Sequence, residues 1–535
     1  MNTAVAKLSE VNAQIGAGEE PRAAVLKFAA NELVFAVVGH AGSGTTTVAT
    51  VLSDLLSQDS LSGGKYDTTS LKARDVIREW ATSNGKEVPP EGNQRLDTVE
   101  AFQNLGDDMR LQSKDFSSVA KGLIRKIRET RAKKTDAAAG ADAPVLPDGK
   151  RRAYVIDSIR HPAEVQLLRH VYQDAFVLVG VVCEETKRLT RLTKKYEDAG
   201  ELKAKAFMKR DEKAGPKHGQ RVADAFHLSD FFLDNTTDRL LQGGSPNPEW
   251  DINEKLNRLI RIICQAEVIR PSTAETAMHQ AFAAGMRSAC LSRQVGAALT
   301  DSRGNIIATG SNEVPRAGGG VYGESFEEEI DHRCAFRPME KDKKRYCSNT
   351  RGQNEIVDKL IEEIPELDGL QQLRKLTVRD DIKRSGIGDL LEFSRAIHAE
   401  MDAILSAGRE GISTVGGRLF VTTFPCHYCA RHIVTAGIDE VQFIEPYPKS
   451  RAFGLHGDAI ASEYSAWKPP SAGGSTVLFR PFVGVAPRLY ARAFLKDREL
   501  KEAASGDMNV GAAEWGAAWH LRSASYAELE AAVVK

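Results

Sequence analysis

The chain has 535 residues, of which 72 are Lys or Arg and 73 are Asp or Glu, so its formal net charge is −1. This balance excludes a strongly basic nucleic-acid coat and an acidic tail protein, but it leaves local basic patches open. The length exceeds what one hydrophobic core supports and predicts several domain-sized units. We expect a cytoplasmic protein, because no apolar run approaches the roughly 20 residues of a membrane helix and the first residues lack a signal peptide's apolar segment.

The first part of the chain is predicted to form an α/β domain over residues 31–245, preceded by a polar arm over residues 1–30. Short apolar runs separated by helical patterns predict buried parallel strands. These runs are Leu33–Val38, Ala153–Ile156, Phe176–Val182 and Phe231–Leu233. The stretch Thr135–Gly149 is rich in Ala, Asp, Gly and Pro and predicts an exposed insertion loop.

A glycine-rich turn with the sequence GHAGSGTT follows the first strand and opens a helix. It fits the phosphate-binding pattern GxxxxGK[ST] except that Thr45 replaces the lysine. The pattern predicts a purine or deoxynucleotide triphosphate with Mg²⁺, whereas the missing lysine argues against phosphoryl transfer. The alternative is a structural turn. The candidate nucleotide-binding residues are Gly39, Gly42, Ser43, Gly44, Thr45, Thr46 and, as the acidic partner of Mg²⁺, Asp157.

A connecting helix is predicted within residues 246–271, and a second domain follows over residues 272–485. A polar insertion over residues 314–394 interrupts this domain, and residues 486–535 have the composition of a helical tail. The predicted order is α-β-β-α-β-α-β-α-β. The elements are Ala274–Cys290, Gly296–Thr300, Asn305–Gly310, a helix from His398, Arg418–Thr423, a helix from Cys426, Val441–Pro446, Leu455–Ser465 and Thr476–Phe479.

The sharpest chemical signal is the pair of motifs His398-x-Glu400 and Pro425-Cys426-x-x-Cys429. One imidazole and two thiolates are the ligand set of a catalytic Zn²⁺ site, which keeps a fourth position open. Together the two motifs form the signature of the zinc deaminases, in which zinc activates water and the glutamate moves its proton to the base and the leaving ammonia. The alternatives are a structural zinc knuckle and a redox C-x-x-C.

Residues 272–485 resemble the deoxycytidylate deaminase branch of the cytidine deaminase superfamily. The matching stretches are Arg287–Ala297, Thr309–Pro315, His398–Glu400, Thr422–Cys429 and Ala436–Pro448. The resemblance implies an α/β/α domain with a mixed five-stranded sheet that releases ammonia from a free deoxycytidine nucleotide. It also implies that Asn312 contacts the sugar or its phosphate, and that phosphate contacts come from Arg293 as the best candidate, with Arg287, Lys449 and Arg451 as others.

Residues 30–240 resemble the P-loop nucleotide-kinase fold, with Lys187, Arg188 and Arg191 in the place of that fold's basic lid. A kinase-like domain fused to a deoxycytidylate deaminase domain resembles the two-domain anti-phage dCTP/dCMP deaminases. This resemblance implies depletion of deoxycytidine nucleotides as an antiviral defence, regulation through the P-loop domain, and an inhibitor that is a small RNA in some systems. Relatives of the deaminase domain are commonly oligomeric, so we expect a homo-oligomer.

Several alternatives stay open at this point. A housekeeping deaminase that supplies dUMP for thymidylate synthesis would share the chemistry, and the sequence does not choose between dCMP and dCTP. A polynucleotide deaminase would need a basic groove with stacking aromatic residues, which a net charge of −1 and 7% aromatic residues do not support. The basic clusters at residues 133–134 and 150–152 could still contact an RNA. A nucleotide-sensing module without catalysis and a second, structural zinc near Asp331–Cys334 and Cys347 are weaker hypotheses.

Overall fold

The chain divides into two compact units. Unit 1 comprises Met1–Pro271 and Val483–Lys535, and unit 2 comprises Ser272–Phe482. The computed structural model describes residues 30–58, 65–90, 95–137, 143–212, 214–215, 217–241, 243–264, 267–324, 330–332, 337–338, 346–447, 449–496, 500–508 and 523–534. The predicted N-terminal arm therefore lies almost wholly outside the described residues.

Unit 1 is built on a six-stranded sheet with the order β2-β3-β1-β4-β5-β14. The first five strands in that order run parallel, and β14 pairs antiparallel with β5. The strands are β1 (Glu32–Gly39), β2 (Asp67–Lys72), β3 (Arg152–Ile159), β4 (Phe176–Val182), β5 (Phe231–Asp234) and β14 (Gly484–Val485). All four predicted strands are present. The sequence pattern missed β2 because this edge strand, DTTSLK, buries only one side chain, that of Leu71.

Helices connect and cover these strands. They are α1 (Thr45–Leu56), α2 (Ala73–Ser83), α3 (Leu96–Ser113), α4 (Ser118–Lys134), α5 (Pro162–Tyr172), α6 (Glu185–Lys195), α7 (Glu201–Glu212), α8 (Val222–Phe226), α9 (Ile252–Cys264), α17 (Pro487–Phe494) and α18 (Ser523–Val534). We expected α9 to connect two domains, but its apolar face packs into the core of unit 1, where Leu256 and Leu259 are fully buried. Likewise, residues 486–535 belong to unit 1 rather than to a separate tail.

A buried ionic cluster joins the last helix of unit 1 to its first strand. The Arg131 guanidinium on α4 lies 2.7 Å from a carboxylate oxygen of Glu32 on β1 and 2.6 Å from one of Glu530 on α18. The hydroxyls of Tyr526 and Tyr172 donate to these two carboxylates at 2.9 and 2.8 Å. Because Arg131 is fully buried, its single positive charge depends on these two carboxylates for compensation.

The basic clusters beside the insertion loop are partly neutralised within unit 1. Arg152 is only 2% exposed and pairs with Asp148 and Glu32. Lys134 lies 2.6 Å from a carboxylate oxygen of Asp67. The predicted RNA-contacting patch is therefore smaller than the sequence indicates, since Arg152 belongs to the interior.

Unit 2 also contains a six-stranded sheet, with the order β12-β13-β11-β10-β6-β7. Strands β7, β6 and β10 pair antiparallel, whereas β10, β11, β13 and β12 run parallel. The strands are β6 (Gly296–Thr300), β7 (Ile306–Ser311), β10 (Arg418–Thr423), β11 (Glu440–Glu445), β12 (Ile460–Ala461) and β13 (Val477–Pro481). The mixed sheet was expected with five strands. The sixth is the two-residue edge strand β12, which lies in the stretch predicted as the helix Leu455–Ser465.

The helices of unit 2 flank this sheet and fill the insertion. They are α10 (Thr273–Gly285), α11 (Ser348–Glu363), α12 (Pro365–Asp368), α13 (Gln372–Arg384), α14 (Ala399–Arg409), α15 (His427–Thr435) and α16 (Ala452–His456). The insertion also holds the two-residue strands β8 (Ile330–Asp331) and β9 (Arg337–Pro338). Among the described helices of both units, none combines the length and the apolar composition that a membrane span requires.

Replacing Arg131 with Met should destabilise unit 1 by about 3–5 kcal/mol, because it leaves the buried carboxylates of Glu32 and Glu530 without their cation. Urea unfolding followed by circular dichroism measures the change. Lys205→Met is the matched control, since it removes a cation paired with Glu201 on an exposed helix face and should leave the unfolding midpoint unchanged. Equal midpoints for both variants would contradict the role assigned to the cluster.

Candidate functional site

The starts of two helices meet in unit 2 and bring together three metal-binding side chains. His398 is the N-cap residue of α14, and Cys426 is the N-cap residue of α15. The His398 Nδ1 atom lies 3.3 Å from the Sγ atoms of both Cys426 and Cys429. Their ligand atoms all lie within 4.8 Å of one another. One imidazole and two thiols at this spacing fit Zn²⁺.

Glu400 lies in the first turn of α14, and its side chain is buried with 3% exposure. It lines the same cavity as His398 and Cys426. Burial raises the pKa of the Glu400 carboxyl to about 7. The i, i+2 spacing places His398 just before the helix and Glu400 inside its first turn, and both residues line one cavity.

The three metal-binding side chains also shift one another's proton affinity. The hydrogen bond with Cys429 and the neighbouring His398 lower the pKa of the Cys426 thiol to about 4. The hydrogen bond with Cys426 raises the pKa of His398 to about 9. The same partner and burial raise the pKa of Cys429. Cys426 is therefore the side chain that most readily carries a negative charge, which is the form that binds a metal.

Close packing between α14 and β7 fixes where His398 and Glu400 lie. A Cβ atom at Gly310 on β7 would overlap the carbonyl oxygen of Ala399 and the backbone nitrogen of Ala403. The Asp402 carboxylate also accepts a hydrogen bond of 3.0 Å from the Ser311 backbone N–H. The first turn of α14 thus lies directly on the strand backbone.

A cavity of about 370 Å³ is lined by two of the metal-binding residues, His398 and Cys426. Arg293, Asn312 and Lys449, which were predicted as substrate contacts, line it. Arg287 is exposed and is not among the lining residues. The structure therefore does not support the predicted phosphate contact of Arg287, which lies just after α10 and acts electrostatically on Asp402.

The amide of Asn312 is engaged with the protein backbone. Its Oδ1 accepts a 2.7 Å hydrogen bond from the Val295 N–H, and its Nδ2 donates at 2.7 Å to the Arg293 carbonyl. Asn312 therefore holds the segment that carries Arg293. The sequence predicted its place in the site but not these partners.

The two cationic residues of the cavity come from different elements. The Arg293 guanidinium lies 3.3 Å from a Glu445 carboxylate oxygen and 5.6 Å from the centre of the Tyr447 ring. Lys449 follows β11, and its Nζ donates at 2.6 Å to the Gly388 carbonyl. Both side chains remain partly or fully exposed, so they can face an anionic group that enters the cavity.

Part of the cavity wall was missed by the sequence prediction. Two stretches of the insertion and the segment after it contribute to this wall. The residues at or just before the start of α11 are Tyr346, Cys347, Asn349, Thr350 and Gln353. The residues in the segment that leads to α14 are Gly388, Leu391, Ser394 and Ala396. The Gln353 amide donates to the carbonyls of Gly388 and Leu390 and so ties the two stretches together. No motif marks these residues, because their contribution is to enclose the site.

The predicted second zinc site is not assembled from described residues. Cys334 lies outside the described residues, and the Cys347 thiol lies 3.5 Å from the Ser292 hydroxyl. Among the described side chains, the group of His398, Cys426 and Cys429 is the one that could hold a metal ion.

The predicted phosphate loop of unit 1 joins β1 to α1. Gly42 and Gly44 adopt the left-handed backbone conformation, with φ of 83° and 89°, which favours glycine. The Thr46 hydroxyl donates at 2.9 Å to an Asp157 carboxylate oxygen, and the Thr45 and Ser158 hydroxyls lie 3.1 Å apart.

A cavity of about 720 Å³ lies at this loop. The loop residues Gly42, Gly44, Thr45 and Thr46 line it together with Asp157. Gly39 and Ser43 are not among the lining residues, and the Ser43 side chain is fully buried. Of the three residues predicted as a basic lid, Arg191 lines this cavity, whereas Lys187 and Arg188 do not.

Comparison with known proteins identifies the second unit. Residues 271–445 match the family described as cytidine and deoxycytidylate deaminase zinc-binding region. These residues form a cytidine and deoxycytidylate deaminase domain.

Two curated relatives match shorter parts of the chain. ComE operon protein 2 of Bacillus subtilis is 44% identical over 54 residues, which cover 10% of this chain and 29% of the relative. Deoxycytidylate deaminase of Enterobacteria phage T4 is 28% identical over 183 residues, which cover 33% of this chain and 80% of the relative. The chain thus spans less than a third of the first relative and most of the second.

Among solved structures, the apo crystal structure of dCMP deaminase from the cyanophage S-TIM5 matches with 16% identity. The match covers 40% of this chain and 99% of that chain, with a TM-score of 0.21.

Gly310→Ala should lower both the zinc content and the activity of the deaminase domain, because the added Cβ displaces the first turn of α14 and with it His398 and Glu400. Elemental analysis of the purified protein measures bound zinc. Gly408→Ala is the control, since Gly408 lies on the same helix with open space around it and alanine favours a helix. Full zinc occupancy in Gly310→Ala would contradict this prediction, because it would show that the added Cβ atom does not move the metal-binding residues.

Proposed function

We propose that unit 2 catalyses the zinc-dependent hydrolytic deamination of free deoxycytidine nucleotides to deoxyuridine nucleotides. The observation that supports this most directly is the grouping of His398, Cys426 and Cys429 at a cavity that His398, Cys426 and the buried Glu400 line. A zinc ion held by these three ligands supplies Lewis-acid activation of a water molecule. Glu400 would carry one proton of the attacking water to the ring N3 as the hydroxyl adds to C4. It would then carry the proton of that hydroxyl to the amino group, so that the C4–N bond breaks, ammonia leaves and the C4 carbonyl forms.

The size and lining of the cavity favour a free nucleotide over a polynucleotide. A volume of about 370 Å³ lies in the range of small-molecule sites. The start of α11 and residues 388–396 help to enclose it, and Arg293 and Lys449 line it. In this proposal these two cations bind the phosphate of the nucleotide. A strand of nucleic acid would need an open groove with stacking platforms.

We further propose that unit 1 is a P-loop nucleotide-kinase-like domain that binds a nucleoside triphosphate with Mg²⁺. The parallel strand order β2-β3-β1-β4-β5, the loop at Gly39–Thr46 and the Thr46–Asp157 pair support this. Thr45 takes the place of the lysine that would contact the transferred phosphate, so unit 1 regulates the deaminase rather than transferring phosphate. In this proposal the protein depletes dCTP and dCMP as an anti-phage effector.

Glu400→Gln should abolish release of ammonia from dCMP and dCTP while retaining zinc, because glutamine keeps the shape of the side chain but does not carry the proton. Purified protein, loaded with zinc and with each candidate effector in turn (ATP, GTP or dTTP), is assayed for dUMP and dUTP. Absence of both products from the wild type under all of these conditions would disprove the proposed activity. Turnover by Glu400→Gln would instead overturn only the role of Glu400.

The defence role is tested separately in cells with the same variant. Phage plated on cells that express the wild type should form fewer plaques than on cells that express Glu400→Gln. Equal plaque numbers, with deaminase activity confirmed in extracts, would favour a housekeeping role in nucleotide supply.

Arg293→Met should raise the KM for the nucleotide by roughly tenfold to a hundredfold and change kcat less, because a lost phosphate contact weakens binding. Steady-state kinetics with dCMP and dCTP measure the change, and zinc content should stay at the wild-type level. Arg287→Met is the matched control, since Arg287 is exposed outside the cavity lining. Equal KM values for the two variants would show that Arg293 does not contribute to substrate binding.

A further inference from the structure

The loop that carries Arg293 forms one side of the deaminase cavity. It comprises residues 288–295, between α10 and β6, and we call it the arginine loop. Six of its eight residues line the cavity, whereas Ser288 and Gln294 do not. A hydrogen bond of 2.7 Å from the Gln294 amide to the Ser288 carbonyl joins its two ends. The position of Arg293 therefore depends on how this closed loop is attached to the rest of unit 2.

Two consecutive residues after β7, Asn312 and Glu313, attach the arginine loop. The Ser288 hydroxyl donates at 2.8 Å to the Asn312 carbonyl, and the Val295 backbone N–H donates at 2.7 Å to the Asn312 Oδ1. The Glu313 carboxylate accepts a hydrogen bond of 2.6 Å from the Ala289 N–H. Both residues thus hold the start of the loop, and Asn312 also holds its end.

Glu313 also contacts the segment that leads to the first metal-binding residue. Its backbone carbonyl accepts a hydrogen bond of 3.0 Å from the Ile397 N–H, and Ile397 immediately precedes His398. The side chain of Glu313 therefore contacts the arginine loop, while its backbone contacts the start of the metal-binding helix α14. One residue joins the two parts of the site.

Both oxygens of the Glu313 carboxylate are engaged by backbone groups. The side chain is only 6% exposed, and its second oxygen accepts a hydrogen bond of 2.9 Å from the Val314 N–H. A glutamine at this position would supply one acceptor and turn its NH₂ group toward the other N–H. That N–H would lose its partner, which is unfavourable for a buried donor. The attachment therefore requires a carboxylate and not merely a side chain of the same shape.

We propose that Glu313 is a positioning residue that fixes the place of Arg293 relative to the metal site. It acts on the substrate through the arginine loop. This proposal rests on the proposed function, in which Arg293 binds the phosphate of the nucleotide. It adds that phosphate binding depends on a carboxylate that holds the loop from behind.

A double-mutant cycle on the full-length, zinc-loaded protein tests this role, with whichever of dCMP and dCTP the wild type converts. Glu313→Gln should raise the KM by about tenfold and change kcat and zinc content less, because the loop moves while the contact with Ile397 remains. In a protein that already carries Arg293→Met, the same change should raise the KM by less than about twofold, since no phosphate contact is left to misplace. Glu366→Gln is the matched control, because Glu366 is exposed on α12.

An unchanged KM in Glu313→Gln overturns the proposal, and so does a rise by the same factor with and without Arg293. Loss of zinc from Glu313→Gln also overturns it, because the carboxylate would then hold the metal site. Glu313→Asp keeps the charge and both acceptors on a shorter side chain. Its KM should lie between those of the wild type and Glu313→Gln, with the same dependence on Arg293.

Hydrogen exchange followed by mass spectrometry tests the attachment without relying on turnover. Peptides that cover residues 288–295 should exchange faster in Glu313→Gln than in the wild type, whereas peptides that cover residues 427–435 should not change. Equal exchange of the loop in the two proteins overturns the positioning role. Faster exchange supports it even where the wild type releases no ammonia, a result that would overturn only the proposed function.

Discussion

Helix α14 lies with its first turn directly on the backbone of β7, and the rest of the deaminase site depends on this contact. Gly310 permits the approach because it has no Cβ atom, and Asp402 secures it through the Ser311 N–H. His398 at the cap and Glu400 one residue into the helix then face the thiols at the start of α15. Both helix starts offer positive partial charge to anionic groups, which favours thiolates at that position. The starts of the two helices thereby bring the three metal-binding side chains together.

Unit 1 uses a different constraint, a buried charge cluster that joins distant parts of the chain. Arg131, Glu32 and Glu530 lie on three separate elements and are each at most 4% exposed. Such a cluster contributes little net stability compared with an apolar core, but removing one member is costly. The cluster therefore does more to determine that α18 packs on this side of the sheet than to raise the stability of unit 1.

The sequence predicted the parts of both units that have strong local signals. The apolar strands β1, β3, β4 and β5, the helix starts at His398 and Cys426, and the metal-binding residues all follow from short-range patterns. Strand β2 was missed because an exposed edge strand needs few apolar residues.

The remaining differences come from contacts between residues far apart in the chain. The partners of Asn312, the exposure of Arg287 and the burial of Arg152 depend on such contacts, which no local pattern records. The cavity wall from the insertion was missed for the same reason, since Tyr346 and Gln353 carry no chemical motif.

The discontinuity of unit 1 has a consequence for biosynthesis. A ribosome completes all of residues 272–482 before it makes β14, α17 and α18, which finish the sheet and the buried charge cluster of unit 1. Because domains fold as units during synthesis, the deaminase domain can reach its native state while unit 1 still lacks its last strand. The order of translation therefore separates in time the folding of two units that share one chain.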